Sequence, residues 1–200
     1  MKTKSKAKQI TIMGLLTALI LIFSLTPIGS IPIGPLVITL NVIPVAIGAI
    51  VLGPVGGMVM GGFFGIMSFL QACGIAVPSP LGTMLFGINP VFSFILCFFP
   101  RVLTGLIVGV INNILKKKNI YVASYITGFC TALLNTVLFM STLMLLFGNT
   151  DAIQDMRNGR NILVFMCAFV GINAVVEWIS TTIIAGAVGS ALYKSKLIER

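Results

Sequence analysis

Long apolar stretches separated by short polar breaks set the pattern of this chain. Between Lys8 and Lys116 there is one charged residue, Arg101. Between Lys118 and Lys194 there are only Asp151, Asp155, Arg157, Arg160 and Glu177. With breaks taken at Pro, Gly and charge, the pattern predicts six helical spans, at about 9–27, 36–52, 55–77, 90–115, 120–147 and 162–192. Gly53-Pro54 marks a tight turn between the second and third, and Pro90 suits the first turn of the fourth. The segments Ile28–Pro35, Pro78–Asn89 and Gly148–Asn161 read as loops. A soluble domain cannot cover its surface with so few charges, whereas such spans suit a bilayer core of about 30 Å. Residues 1–200 are therefore expected to form one all-α integral membrane domain with six transmembrane helices.

Composition agrees: 58% of residues are hydrophobic and the mean hydropathy is +1.11. The net charge of +9 is gathered at span ends. Lys2, Lys4, Lys6 and Lys8 form one cluster, Lys116 to Lys118 a second, and Lys194, Lys196 and Arg200 a third. Cationic flanks favour the cytoplasmic side. Six spans put all three clusters there, with both termini cytoplasmic, and an odd number of spans would misplace one. The basic clusters are topology anchors, so no nucleic-acid partner is expected. The first apolar run continues to Ile28 without a small-residue cleavage site and is read as a retained helix. Cys73, Cys97, Cys130 and Cys167 fall in separate spans with no CxxC pair, and there is no histidine. Neither a metal site nor a cofactor is expected.

Gly57, Gly61 and Gly65 form one small-residue face on the third span, suited to close helix packing inside the molecule. Gly14 and Ala18 offer a second such pair on the first span, for internal packing or for docking another protein. Arg101 and Glu177 are the two ionisable groups within spans. An intramembrane charge is costly, so each is a candidate functional residue. They lie fifteen and seventeen residues from Lys116 and Lys194, about 22–26 Å along a helix, and hence at similar depth. Either they pair as a buried salt bridge, or one of them meets a ligand. Pro100 frees a backbone carbonyl one turn before Arg101, as in bent, cavity-lining helices.

The neutral polar positions Gln71, Asn89, Ser93, Asn135, Ser141 and Asn173 are candidate orienting partners for a ligand among apolar walls. Each can equally join two helices. Tyr121, Tyr125 and Tyr193 fall at the cytoplasmic side, and Trp178 is the sole tryptophan, so the outer half offers Phe and amides rather than an aromatic cage. With Glu177 the sole carboxylate in a span, and with no HExxH, Ser-His or Walker A pattern, no enzyme activity is expected. A stand-alone carrier would want inverted repeats and charged relays, which are not visible.

Ile31-Pro32-Ile33-Gly34-Pro35-Leu36-Val37-Ile38-Thr39, then Pro44-Val45-Ala46-Ile47-Gly48-Ala49, then Leu52-Gly53-Pro54 with Gly57, Gly61, Gly65 and Ser68 resembles the substrate-binding S components of energy-coupling factor (ECF) vitamin transporters. The resemblance covers nearly the whole chain. It implies a vitamin receptor in a prokaryotic cell membrane that docks on a transmembrane coupling protein and two cytoplasmic ATPases. It implies docking through small residues on helix one in an Ala-x-x-x-Ala pattern, here Gly14 and Ala18, where Gly replaces the first Ala. It also implies a pocket in the outer half. The stretch through Thr39 looks most like the pantothenate branch, and Arg101 is then placed to help hold a carboxylate. Riboflavin is the alternative vitamin, since amides and hydroxyls also suit a ribityl chain.

Overall fold

The structure, a computed structural model, describes residues 2–27, 29–33, 36–75, 77–157, 159 and 161–195. Of the residues named above, Ile28, Gly34, Pro35, Arg160, Lys196 and Arg200 lie outside these, as do the side chains of Lys2, Lys4, Ile31, Pro32, Ile33, Leu36, Val37, Ile38 and Cys167. The described chain runs α1 (Lys2–Leu25), β1 (Ser30–Ile33), β2 (Leu36–Thr39), α2 (Val42–Ala72), α3 (Pro80–Ile88), α4 (Pro90–Leu115), α5 (Ile120–Phe147), α6 (Asp151–Arg157) and α7 (Ile162–Lys194). Helices α1, α2, α4, α5 and residues 173–194 of α7 are long and apolar enough to cross a membrane.

Helix α2 is two helical segments in one. Gly53 breaks it at φ 73°, ψ −161°, a conformation that glycine adopts without a Cβ penalty. A Cβ on Gly48 would meet the side chain of Met60, and one on Gly57 would meet Ala49. In a straight helix residues 48 and 60 would stand about 18 Å apart. The chain therefore doubles back at the Gly53-Pro54 turn that the sequence marked.

The rising half of α2 packs on α4 backbone to backbone. A Cβ on Gly57 would strike the carbonyl of Gly105, and one on Gly61 would strike that of Arg101. The small-residue face is thus internal packing, and it fixes where Arg101 stands. Helix α7 packs mainly against α5. One apolar core joins Leu16 and Ile20 of α1, Val45, Ile50 and Met60 of α2, Ala132 of α5 and Ala185 of α7. A second holds the short helices: Leu81 and Leu85 of α3 and Ile153 of α6 pack with Leu96, Met140, Leu143 and Phe147.

Four expectations change, one of them the loop Gly148–Asn161, which contains α6, too short for periodicity to register. The chain is not purely helical, because Leu36–Thr39, expected to open the second span, pairs antiparallel with Ser30–Ile33 from Leu36↔Ile33 to Thr39↔Ser30. Hydropathy alone cannot separate a strand from a helix, and β-branched Val37, Ile38 and Thr39 favour the extended form. The second span therefore begins as helix only at Val42. The third ends at Ala72 rather than 77, where Gly74 takes φ 82°. The loop Pro78–Asn89 contains α3, capped by the Ser79 hydroxyl, which accepts from the Gly82 N–H at 3.2 Å, with Pro80 in its first turn. Helices α4 and α5 keep the expected bounds. Helix α7 covers the sixth span with a break at Gly171 (φ 31°).

Candidate functional site

The bundle has two unlike poles. At one, the carbonyl of Ile50 beside the Gly53 turn accepts from Asn112 of α4 (3.3 Å) and from the hydroxyl of Tyr193 of α7 (3.2 Å). Lys116 to Lys118 and Lys194 follow directly in the chain at this pole. At the other pole the end of α1 meets both ends of α2. Asn41 donates to the Ser24 hydroxyl (2.8 Å), and Gln71 donates to the Ser24 carbonyl (2.9 Å). A cavity of about 110 Å³ opens towards this second pole, between α2, α3, α4, α5 and α7, with Thr39 of β2 at its edge. This is several times the roughly 10–15 Å³ that a cavity needs to hold a single water, the scale of a small organic molecule.

The walls include Phe64, Leu85, Leu96, Phe139 and Met140. Six of the residues singled out from the sequence converge on them: Gln71, Ser93, Arg101, Asn135, Asn173 and Glu177. Arg101 is 7% exposed. Its Nη1 donates to the Leu96 carbonyl at 2.8 Å. Leu96 is four residues before Pro100, so this is the carbonyl that proline leaves without a helical donor. The guanidinium lies over Phe139, 4.4 Å from the ring centroid, and 5.4 Å from that of Phe64. Its Nε–H has no hydrogen-bond partner, and neither has the Ser93 hydroxyl, 1% exposed in the same lining.

Glu177 is equally buried. One of its oxygens accepts from the backbone N–H of Thr39 at 2.9 Å, tying the β-hairpin to α7. No salt bridge joins Glu177 to Arg101. The cation and the carboxylate line one cavity and attract each other across it, each hydrogen-bonded to a backbone partner of its own.

Two of the singled-out residues stand elsewhere. Asn89 caps α4, its side-chain oxygen accepting from Val91 and Phe92 (3.0 and 3.1 Å), and is not among the lining residues. Ser141 is half-buried on α5, away from the lining. The lining also contains Thr39, Ser79 and Thr136, which the sequence reading did not single out. Thr39 needed the strand to be seen. Ser79 needed its capping role at Ser-Pro-x-Gly to be recognised. Thr136, beside Asn135, gave no separate signal. On α1, Gly14 and Ala18 are both exposed, and Gly14 has nothing within 4 Å of where a Cβ would sit.

This is an apolar, membrane-type bundle with a largely apolar cavity that polar side chains and one cation enter, suited to holding a small solute. A family model described as "ECF transporter, substrate-specific component" matches residues 8–189. The chain belongs to this family. A pantothenate transporter, PanT, of Leuconostoc mesenteroides subsp. mesenteroides is 32% identical over 95% of this chain and 94% of its own length. A pantothenic acid transporter, PanT, of Lactococcus lactis subsp. cremoris is 26% identical over 96% of this chain and 97% of its own length. The family is one of transporter components rather than enzymes.

Proposed function

We propose that this S component binds pantothenate in the cavity between α2, α4, α5 and α7 and delivers it to an ECF-type importer in a prokaryotic cell membrane. The observation that carries the reading is Arg101. A buried guanidinium with an unpartnered Nε–H, in the same lining as an unpartnered Ser93 hydroxyl, has room for a further acceptor. A ligand carboxylate supplies one by charge-assisted hydrogen bonds. Pantothenate has that group, a central amide to meet Gln71 or Asn135, and an aliphatic body suited to Phe64, Leu96 and Phe139. The names of the two relatives support the same vitamin. The cavity lining has no Trp or Tyr, which favours an aliphatic acid over riboflavin.

On this reading the fold-back at Gly53 makes six crossings. The pole bearing Lys116 to Lys118 and Lys194 faces the cytoplasm, and the cavity opens outward. Gly14 and Ala18, exposed on α1, form the docking face for the coupling protein, and two cytoplasmic ATPases supply the energy. No residue of this chain acts as a catalyst. The test is to purify a tagged chain from its own membranes. Co-purification of one transmembrane protein and two ATPases, with pantothenate identified by mass spectrometry, is the expected result. Recovery of riboflavin, or of the chain without those partners, overturns the corresponding part.

A further inference from the structure

We infer that Glu177 is a specificity-determining residue that selects a ligand with free hydroxyl groups and rejects the same ligand once a hydroxyl is phosphorylated. This rests on the pantothenate reading and deepens it.

The starting point is an imbalance in the cavity. The two oxygens of a carboxyl group offer about four lone-pair positions. Glu177, 7% exposed, fills one of them, with the N–H of Thr39. Arg101 lines the same cavity and forms no salt bridge with it. An acceptor that faces a cavity can take further donors from whatever fills it. The cavity thus presents Arg101 Nε and the Ser93 hydroxyl without a partner, and a carboxyl group at Glu177 that meets a single donor. A ligand that answers both has an anion in one part and hydroxyl donors in another. Pantothenate is such a molecule, with its carboxylate at one end and two hydroxyls at the other, separated by an amide.

With the carboxylate at Arg101, the hydroxyl end donates to Glu177. Phosphorylation of the terminal hydroxyl replaces a donor by a dianion. That group cannot donate to Glu177, and it brings like charge against a carboxylate held among apolar walls. The same cavity that accepts the vitamin therefore refuses its phosphate ester. The Thr39 contact adds a positional element, because it holds the Glu177 side chain towards the edge of the β-hairpin.

The experiment measures affinities of the purified full chain and of Glu177→Gln for three compounds: pantothenate, its analogue lacking the terminal hydroxyl, and its ester phosphorylated there. For the natural chain we expect the deoxy analogue to bind about tenfold more weakly than pantothenate, from loss of a hydrogen bond to a charged acceptor. The ester should bind at least about a hundredfold more weakly, from like-charge juxtaposition. In Glu177→Gln the amide oxygen still accepts from Thr39, and the penalty on the ester should shrink about tenfold or more. Binding of the ester by the natural chain within about threefold of pantothenate overturns the inference, as does a penalty unchanged in a folded Glu177→Gln chain. The ligand series on the natural chain decides the matter alone if the variant does not fold. Failure of pantothenate itself to bind the natural chain overturns the underlying reading, and this inference with it.

Discussion

Pro100 and Arg101 act as one unit. Proline cannot donate to the Leu96 carbonyl, and the neighbouring guanidinium does so instead at 2.8 Å. That bond, with Phe64 and Phe139 beneath the guanidinium, turns it into the cavity. Replacing Pro100 by Ala restores a backbone donor to Leu96 and releases Arg101. We expect pantothenate affinity to fall several-fold while the melting temperature holds or rises, measured by calorimetry on the same samples. Unchanged affinity would mean that the proline does not position the arginine. The sequence made part of this visible. It showed a costly charge in a span and a carbonyl freed one turn earlier, but not that one satisfies the other. It also placed Arg101 and Glu177 at similar depth, and both do reach one cavity. Depth says nothing of azimuth or partner, and the Thr39–Glu177 contact became visible only in the fold.

Among the elements, the seam between α2 and α4 positions the site. Gly61 abuts the backbone of Arg101, and Gly57 abuts Gly105. Gly61→Leu forces the two helices apart, and we expect about 1–3 kcal/mol of lost stability together with loss of binding, read from thermal melting and ligand titration. A stable, binding-competent variant would contradict the seam. This packing was legible because a small-residue face at four-residue spacing has few other uses in a helix within lipid. Helices α4 and α5 were legible to their ends because Pro90 and the basic turn at Lys116 to Lys118 mark breaks, whereas the caps made by Asn89 and Asn119, each accepting from the first backbone N–H groups, emerged only in the fold. The β-hairpin was not. Its second strand is as apolar as a membrane helix, and strand pairing is set by contacts outside the segment. Helix α3 was missed for the opposite reason, since its cap is local but it is too short for periodicity to register.

For the whole molecule, the decisive feature is polarity along the bundle. The basic clusters Lys116 to Lys118 and Lys194 lie at the pole opposite the cavity, Thr39 and α6. A cysteine placed at Gln154, exposed on α6, should react with an impermeant reagent from outside, and one at Lys117 only from inside. Reaction of both from one side would refute six crossings. The exposed pair on α1 gives a second test. Gly14→Leu or Ala18→Leu should weaken assembly with the coupling protein, because a larger side chain holds two helix backbones apart, and should leave ligand binding by the isolated chain intact. Assembly that survives both changes would move the docking face elsewhere. The central claim is narrower: this cavity holds pantothenate by its carboxylate at Arg101. The most direct measurement is titration of the natural chain and Arg101→Met with pantothenate and with the alcohol that replaces its carboxylate. The account expects the natural chain to bind the acid at one site and the alcohol more weakly. In Arg101→Met the affinity for the acid should drop about ten- to a hundredfold, while that for the alcohol changes little. Equal losses for acid and alcohol in a folded variant, or acid binding unaffected by the substitution, would contradict it.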